Sequence, residues 1–372
     1  MSRKIRVCHI SSVHYSLDTR ILHRECVSLA QHGYEVHFLV LNQESQTVKG
    51  VQIHSLNTPI SNRLDRMRRA PKLLFNKAME LDARIYHFHD PELLPLGRKL
   101  QAAGKKVIYD SHEHVPHQIR TKKYLPAILR LPIAWIFEQY ENRMVAKMDA
   151  VVTATDLVRD RFLAINPRVI EVNNYPRLDT FLLPKSTGVE KKYDVTYVGL
   201  ISEIRGIRQL LDSLIPGDTW RLCLVGYFET QTLENAIRQH PQWQRVDFVG
   251  RKSREEVAEI LSQSNIGIVT FLPAPNHTKN QPNKLFEYMA ASLPVICSDF
   301  ERWRNIVEQA QCGLCVNPAD PAAIREAVQT LLADPDRLAV LGKNARRAME
   351  DSFNWGSEEA RLLGLYTTLL QG

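Results

Sequence analysis

Short runs of consecutive apolar residues recur along the chain, and between them lie segments whose apolar residues are spaced three or four apart. The runs have the length and the β-branched residues of strands buried on both faces, and the spaced segments have the period of amphipathic helices. In the first half, strands are predicted at residues 5–10, 35–41, 51–56, 84–89, 106–110, 150–153 and 169–172, with a helix at 20–31. Strands separated by helices pair in parallel, so this half is predicted to be a doubly wound sheet.

The same pattern restarts in the second half, where strands are predicted at residues 193–199, 220–226, 246–250, 266–270, 294–298 and 313–316. A stretch with Pro, Ser and Lys separates the two sets, which is typical of a linker. We therefore predict an α/β fold of two doubly wound, Rossmann-like domains, residues 1–180 and 181–350. Residues 351–372 are predicted to form a C-terminal helix that crosses back to the first domain. Such sheets bind ligands at the carboxyl ends of their strands.

Composition excludes several functional classes. The chain has 372 residues, 44% of them hydrophobic and 24% charged, which is typical of a soluble globular protein with two cores. No apolar run has the length of a membrane span, and residues 1–5 show no signal-peptide core, so a cytoplasmic location is expected. The chain contains neither G-x-G-x-x-G nor G-x-x-x-x-G-K-[ST], which argues against a dinucleotide dehydrogenase or a P-loop enzyme.

The six cysteines give little sign of metal or redox chemistry. Four of them stand in apolar segments and are predicted to be buried, reduced thiols: Cys8, Cys26, Cys223 and Cys297. Cys312 and Cys315 have ligand-like spacing, but neither a second such pair nor a positioned histidine pair accompanies them. No zinc or redox site is predicted there.

The net charge of +7 is concentrated in two clusters that mix cations with apolar residues. Residues 62–77 hold six cations, and residues 120–125 lead into the apolar stretch 129–136, which contains Trp135. This mixture predicts helices in peripheral contact with an anionic membrane surface, and the alternative is a solvated basic face over core residues. Nucleic acid is not a predicted partner, because no aromatic and basic platform is present.

A short helix followed by a buried strand is predicted from Pro282 onward. Pro282 suits the first helical position, and Asn280 and Gln281 are candidate caps. Lys284 and Glu287, three residues apart, share one face, where the ammonium can bind a phosphate and the carboxylate can accept hydrogen bonds from a sugar diol. The alternative is a solvated Lys–Glu pair on an ordinary amphipathic helix.

Residues 284–296, Lys-Leu-Phe-Glu-Tyr-Met-Ala-Ala-Ser-Leu-Pro-Val-Ile, resemble the donor-site motif of family-4 glycosyltransferases, and residues 18–21, Asp-Thr-Arg-Ile, resemble the D-x-R-I signature of one subgroup. The resemblance implies the GT-B fold, in which the two domains face each other across a cleft. It also implies a retaining hexosyltransferase of surface polysaccharide biosynthesis that needs no metal or other cofactor. The implied co-substrate is a nucleoside diphosphate sugar, and the implied acceptor is a glycan or a polyprenyl-linked saccharide. In this family the first domain often docks on the inner membrane face.

By the same resemblance, donor-binding residues fall in the second domain. Residues 199–206 resemble the family's G-R-x-x-x-x-K-G segment, with Gly199 at the turn, Leu200 replacing the first basic residue and Arg205 at the second. Arg205 and Lys284 are predicted to hold the leaving diphosphate and thereby act in catalysis. The remaining donor contacts implied are Gly250, Arg251, Asn283 and Glu287.

Acceptor-binding and proton-transfer residues are predicted at strand ends of the first domain. Residues 110–113, Asp-Ser-His-Glu, resemble a D-x-H-E segment, which assigns the catalytic histidine role to His112 and an acceptor contact to Glu113. Further acceptor or sugar contacts are predicted at Asp18, Arg20, His89 and Asp90, with Asp18 alternatively a helix cap and Arg20 able to reach phosphate or carboxylate. His87 shares a strand face with His89, but no third metal ligand has convincing spacing, so His87 is predicted to be a core histidine.

One departure from the family pattern concerns the donor sugar. In the family's Glu-x7-Glu motif the second glutamate corresponds to Glu287, but Lys279 stands where the first is expected. His277 and Asn280 are candidate substitutes for its sugar contacts. Two other functions therefore stay open at this point: an isomerase resembling UDP-sugar 2-epimerases, which share the GT-B architecture, and a non-catalytic nucleotide-sugar-binding relic.

Overall fold

The computed structural model describes residues 4–60, 62–122, 125–181, 191–274, 277–278 and 281–371. The chain forms two compact units, Met1–Asn174 with Gly356–Gly372, and Tyr175–Trp355. Each unit is built on a largely parallel β-sheet. Within the described ranges, none of the helices is at once long and apolar enough to cross a bilayer.

The first unit alternates strands and helices. Its strands are β1 (Arg6–Ile10), β2 (Glu35–Leu41), β3 (Gln46–Val48), β4 (Val51–Leu56), β5 (Ile85–Phe88), β6 (Lys106–Ser111), β7 (Ala150–Thr153) and β8 (Val169–Glu171). Its helices before residue 174 are α1 (Val27–Gln31), α2 (Arg63–Leu81), α3 (Leu94–Ala102), α4 (Val115–Thr121), α5 (Ala127–Val145) and α6 (Asp156–Leu163).

The sheet of the first unit has the strand order β3-β4-β2-β1-β5-β6-β7-β8. All neighbouring strands are parallel except β3 and β4, which form a hairpin. The sequence did not predict β3, since it is only three residues long and mostly polar. The turn is formed by Lys49 and Gly50, both with positive φ, which matches the twist of a two-residue hairpin.

The helix predicted at residues 20–31 is present, but its first part is π-helical. Residues Ile21–Cys26 form the π-helical turn and continue directly into α1. The amide of Glu25 donates to the carbonyl of Arg20, five residues earlier, at 3.0 Å. This wider turn places two residues that are five apart on one side of the helix, a local irregularity that is frequent at functional sites.

The second unit repeats the architecture. Its strands are β9 (Tyr193–Ile201), β10 (Leu222–Phe228), β11 (Val246–Gly250), β12 (Ser264–Val269), β13 (Val295–Ser298) and β14 (Gly313–Val316). The helices that follow are α7 (Ile207–Asp212), α8 (Gln231–Arg238), α9 (Arg254–Ser262), α10 (Asn283–Ala290), α11 (Glu301–Ala310), α12 (Pro321–Leu332), α13 (Pro335–Asp351) and α14 (Trp355–Gln371), the last belonging to the first unit from Gly356. All pairs in the order β11-β10-β9-β12-β13-β14 are parallel.

The central strands of both sheets are buried on both faces, which explains why they appear as continuous apolar runs. In β5, for example, all four residues are fully buried, and two of the buried positions in β1 and β5 are histidines, His9 and His87. The prediction that His87 lies in the core is confirmed. The four cysteines predicted to be buried thiols are free and buried.

Each sheet has one point where the strand order reverses direction. In the first sheet it lies between β1 and β5, and in the second it lies between β9 and β12. Loops diverge at such a point and leave a crevice outside the carboxyl ends of the strands. The two reversals therefore bring the segment after Ile10 beside His89 and Asp90 in the first unit, and the segments after Ile201 and Val269 together in the second.

Candidate active site

A pocket of about 200 Å³ lies at the carboxyl ends of β9, β10 and β11 in the second unit. Among the residues that line it are Phe181, Gly199, Tyr227, Arg251, Lys284 and Glu287. Four of these were predicted donor-binding residues, and Phe181 and Tyr227 were not. Three other predicted donor contacts are not part of the lining: Arg205, Gly250 and Asn283.

Two glycines allow the ends of β9 and β10 to approach each other closely at the pocket floor. Gly199 and Gly226 have φ values of +144° and +146° and are partners in the ladder between the two strands. A Cβ on Gly226 would overlap the carbonyl group of Gly199. Only glycine adopts this backbone conformation readily and leaves room for the neighbouring carbonyl group, so both positions of this strand pair lack side chains.

Arg205 and Lys284 both approach Gly199. A Cβ on Gly199 would be 3.3 Å from Arg205 Nη1 and 3.7 Å from Lys284 Cε. The guanidinium of Arg205 is also held over the ring of Phe271, 5.1 Å from its centroid. Two cationic side chains therefore approach the same glycine.

Helix α10 places Lys284 and Glu287 at the pocket wall. Nζ of Lys284 lies 2.6 Å from Oε2 of Glu287, and both side chains are partly buried. The predicted sharing of one helical face is confirmed. The helix begins one residue later than predicted: Pro282, with ψ of 127°, has the extended backbone of an N-cap, so Asn283 is the first helical residue, and it is exposed.

Arg251 and Tyr227 form the outer part of the pocket. The guanidinium of Arg251 lies over the Tyr227 ring, 4.9 Å from its centroid, and both residues are exposed. A planar, half-solvated pair of this kind offers a stacking surface for a heterocyclic base. Tyr227 carried a signal that sequence reasoning missed, because it directly follows Gly226 at a strand end.

The loop before α10 is described only in part. Lys279 and Asn280, like Asn276, lie outside the described residues, so the structure gives no position for them. His277 is half-buried, with Nδ1 3.0 Å from the carbonyl oxygen of Leu272 and its ring 4.9 Å from that of Phe271. It does not line the pocket, and its predicted sugar contact stays a prediction.

In the first unit, the side chains of Asp18 and Arg20 both bind other groups of the same unit. Oδ1 of Asp18 accepts hydrogen bonds from the amides of Arg20 and Ile21, at 2.8 and 2.9 Å, so it caps the π-helical turn. Arg20 is buried and forms a two-point ion pair with Asp110, both bonds being 3.1 Å. Arg20 was predicted to reach either a phosphate or a carboxylate, and in the structure it contacts a carboxylate.

His112 sits at the end of a chain of buried polar side chains. Its Nε2 lies 3.2 Å from Oδ2 of Asp110 and 3.2 Å from Nδ1 of His89, which is itself buried. Burial alone would raise the pKa of Asp110, but the charge of Arg20 and the contact with His112 outweigh it and hold that pKa well below its usual value. Burial lowers the pKa of His89 to about 4, so His89 is a neutral imidazole.

Asp90 and Glu113, two further predicted acceptor contacts, differ in exposure. Asp90 is buried, and its Oδ2 accepts hydrogen bonds from Ser11 Oγ at 2.8 Å and from the amide of Ser12 at 2.6 Å. Glu113 is exposed. His14, which sequence reasoning did not consider, lies beside His112 and Asp90, with its ring 4.8 Å from that of His112 and Nε2 3.6 Å from Oδ1 of Asp90. Glu113, His112, His14 and Asp18 are thus among the exposed and half-buried groups at this edge.

Two family models match the chain. One, described as glycosyl transferases group 1, matches residues 180–348, and the other, glycosyltransferase family 4, matches residues 19–173. D-rhamnosyltransferase WbpZ of Pseudomonas aeruginosa is 25% identical over 284 residues, which cover 74% of this chain and 71% of that protein. A phosphatidyl-myo-inositol mannosyltransferase of Mycobacterium leprae is 23% identical over 305 residues, or 77% of this chain and 74% of its own.

Solved structures share the fold at lower identity. Sucrose-phosphate synthase from Thermosynechococcus elongatus superposes with a TM-score of 0.78 at 19% identity, covering 99% of this chain and 100% of that one. The Anabaena protein HepE in complex with UDP gives 0.72 at 12% identity, covering 98% and 100%. The predicted architecture of two Rossmann-like α/β domains of GT-B type is therefore confirmed.

Proposed function

Since the chain belongs to the family-4 glycosyltransferases of GT-B fold, we propose that it transfers a hexose-type sugar from a nucleoside diphosphate sugar bound in the pocket of the second unit. The acceptor proposed is a glycan or a polyprenyl-linked saccharide in surface polysaccharide biosynthesis. In support, the relatives named above include a rhamnosyltransferase and a mannosyltransferase. Transfer with retention of anomeric configuration is proposed from the family resemblance.

The observation that carries this proposal is the convergence of Arg205 and Lys284 on Gly199. A diphosphate seated over the glycine would contact a planar guanidinium on one side and an ammonium on the other. Negative charge grows on the diphosphate as the glycosidic bond breaks, and fixed cations stabilise that charge more than they stabilise the ground state. We propose that these two side chains take the place of a metal ion at the diphosphate.

The rest of the pocket suits the nucleoside. Glu287, beside Lys284, has carboxylate oxygens that can accept hydrogen bonds from the ribose hydroxyls. Arg251 and Tyr227 offer a flat surface for the base at the outer end. The order along the pocket is then base, ribose and diphosphate, with the sugar beyond Lys284.

His112 is the proposed proton-transfer residue of the first unit. The ionised Asp110 carboxylate, 3.2 Å from Nε2, favours the tautomer with its proton on that nitrogen and leaves Nδ1 as the base. His89 is buried, so its predicted contribution to the acceptor site must act through His112, which it touches. Asp110 and His89 are therefore proposed as positioning residues.

Peripheral contact with an anionic membrane is proposed for α5. This helix exposes Ile128, Leu131 and Trp135, spaced three and four apart on one face, with Trp135 61% exposed. An exposed apolar face on a helix that also carries an exposed cation, Arg143, suits the interface of an anionic bilayer, whereas Arg120 before the helix pairs with Glu138 at 3.9 Å. The cations of α2 are less available, since Arg66 pairs with Glu92 at 2.7 Å.

The experiment is an assay of nucleoside diphosphate release from UDP-, GDP-, ADP- and TDP-sugars, with and without a polyprenyl-linked saccharide extract. Release that requires the extract, together with incorporation of labelled sugar into it, is the expected result. Conversion of the sugar nucleotide without any acceptor would instead support the epimerase-like alternative. Absence of both, in protein that binds a nucleotide, would support the non-catalytic alternative.

A further inference from the structure

Four side chains that the proposed transfer does not use as reacting groups converge in the interior of the first unit. They come from three elements: His9 from β1, Glu25 from the π-helical turn, and His87 and His89 from β5 and its end. One ligand-type atom of each lies within 4.8 Å of the others. All four side chains are buried.

The separations match those of ligands around one small cation. Nδ1 of His9 lies 2.9 Å from Nε2 of His89 and 3.8 Å from Oε2 of Glu25, and the last two atoms are 4.0 Å apart. A tetrahedral zinc site with metal–nitrogen bonds of about 2.0–2.1 Å has ligand atoms about 3.4 Å apart. The three separations bracket that value, so a cation fits between these atoms after shifts of a few tenths of an ångström.

Buried polar atoms in this group lack hydrogen-bond partners among the described residues. Both carboxylate oxygens of Glu25 and Nε2 of His87 are in this state. Arg20 Nε approaches Oε1 of Glu25 to 2.9 Å, but not at the angle of a hydrogen bond. Buried polar atoms are rarely left unsatisfied in a closed interior, and a bound cation would give Oε2 of Glu25 and Nε2 of His87 a partner.

Each histidine already has its second ring nitrogen in contact with an outer group. Nε2 of His9 and Nδ1 of His87 both lie 3.0 Å from the hydroxyl of Tyr366, and Nδ1 of His89 lies 3.3 Å from Asp110. Metal-bound histidines have this arrangement, with one nitrogen on the metal and the other donating to an oxygen that fixes the ring. The nitrogens that remain on His9 and His89 are the two that face each other, and the one on His87 is Nε2, which makes no hydrogen bond and lies 3.8 Å from Oδ2 of Asp110.

We propose that His9, His87, His89 and Glu25 form a buried four-ligand site for one divalent cation of the zinc class. Zinc accepts both imidazole nitrogen and carboxylate oxygen as ligands in tetrahedral four-coordinate sites, and a closed set with no open position is typical of a structural site. The cation would tie β1, β5 and the π-helical turn together behind Asp110 and His112. The inference concerns the first unit alone and does not depend on the proposed glycosyl transfer. The transfer proposed at the diphosphate in the second unit remains one without a metal.

The test uses the full chain expressed in medium supplied with Zn²⁺, or with Co²⁺ as a spectroscopic probe. After dialysis against a weak chelator, metal per chain is measured by inductively coupled plasma mass spectrometry, and the Co²⁺ form is examined by visible absorption. The expected result is one metal per chain and an intense visible band of tetrahedral Co²⁺. Wild-type protein without bound metal, or Co²⁺ without that band, would overturn the proposal irrespective of any variant.

Two variants locate the site. His87→Gln and Glu25→Gln each remove one ligand and are expected to lower metal retention at least tenfold. The matched control is His37→Gln: His37 pairs with His54 at 2.8 Å and with Glu35 at 3.2 Å, a second histidine and carboxylate group outside the four-ligand set. Metal retention should stay at one per chain in this control. Equal retention in His87→Gln and wild type would contradict the assignment, and circular dichroism reports whether each variant folds.

Discussion

Lys284 and Glu287 form an ion pair of 2.6 Å on one turn of α10, at the wall of the candidate donor pocket. The pair holds the ammonium in place, yet an ammonium has three donors, so two remain for phosphate oxygens. Glu287 itself keeps acceptor capacity for hydroxyl groups. One helical turn thus supplies both the cation and the carboxylate that a nucleoside diphosphate requires.

The Glu287→Gln variant is predicted to bind the nucleoside diphosphate about tenfold more weakly, because hydrogen bonds to an ionised acceptor are worth about 1.5–3 kcal/mol. Isothermal titration calorimetry measures the change. The matched control is Glu234→Gln, in the Glu234–Arg238 pair of α8, which does not line the pocket. Equal affinities for wild type and Glu287→Gln would show that the carboxylate does not contact the ligand.

Removing either cation beside Gly199 is predicted to reduce turnover. Arg205→Ala and Lys284→Ala should each lower kcat by about 100-fold or more, the magnitude found when one preorganised group is removed from a developing charge. Arg347→Ala and Lys343→Ala, at exposed positions of α13, are the controls and should have wild-type rates. Wild-type rates in both pocket variants would eliminate the diphosphate contact.

Close packing at the pocket floor predicts a difference between two glycine substitutions. Gly226→Ala would place a Cβ against the Gly199 carbonyl group, whereas Gly217→Ala, also at positive φ, meets no atom within 4 Å. Both carry a backbone cost of about 1–3 kcal/mol, but only Gly226→Ala adds a clash with the main chain and should lose nucleotide binding as well. Chemical denaturation and calorimetry compare the two. Similar stability and nucleotide binding in both variants would contradict the close approach of Gly226 to the Gly199 carbonyl group.

His14 predicts a pH-dependent contribution to stability. Burial lowers the pKa of His14, but Asp18 and Asp90, 3.8 and 3.6 Å away, outweigh burial and raise it above its ordinary value of 6.5. A histidine whose pKa is higher in the folded than in the unfolded protein stabilises the fold at pH values below its unfolded pKa. This stabilisation is lost as the pH rises through its folded pKa. His14→Gln should therefore lower the free energy of unfolding by about 0.5 kcal/mol more at about pH 6 than at about pH 9, a small amount because the pair is partly solvated. Denaturant titrations at the two pH values measure it, and equal losses would contradict the account.

The exposed face of α5 predicts binding to anionic lipid. A variant with Ile128→Ser and Trp135→Ser is expected to bind vesicles of phosphatidylglycerol and phosphatidylethanolamine about tenfold more weakly, because these side chains would lose their burial in the interface. Vesicle co-sedimentation measures the affinity. The control is Val340→Ser, an exposed apolar residue of α13 in the second unit. If the double variant and the control bind alike, α5 is not the contact.

Much of the fold follows from the sequence because parallel strands buried on both faces leave continuous apolar runs. The bounds predicted for β2, β4, β7, β11 and β14 coincide with those observed. Strands β9 and β10 run two residues further than predicted, since Gly199 and Gly226 continue the ladder rather than end it. The short polar strand β3 had no apolar pattern and was missed.

Site residues were predictable where the partners are close in sequence. Lys284 and Glu287 are three apart, so their shared face follows from helical periodicity. The approach of Arg205 to Lys284 depends on strand register and on Gly199, which no local pattern specifies. The buried group of His9, Glu25, His87 and His89 is still harder to predict from the sequence. Tyr366 contacts His9 although the two are 357 positions apart, and the π-helical turn that carries Glu25 interrupts the ordinary helical period.

The most direct measurement is a calorimetric titration of UDP, GDP, ADP and TDP into the wild-type chain and into Lys284→Ala, each with and without EDTA. Wild-type protein is predicted to bind one of the four with micromolar affinity, unchanged by EDTA, and Lys284→Ala to bind it at least tenfold more weakly. Heat absent for all four nucleotides in well-folded wild-type protein, or equal affinity in Lys284→Ala, would contradict the claim that this pocket holds the diphosphate of the donor.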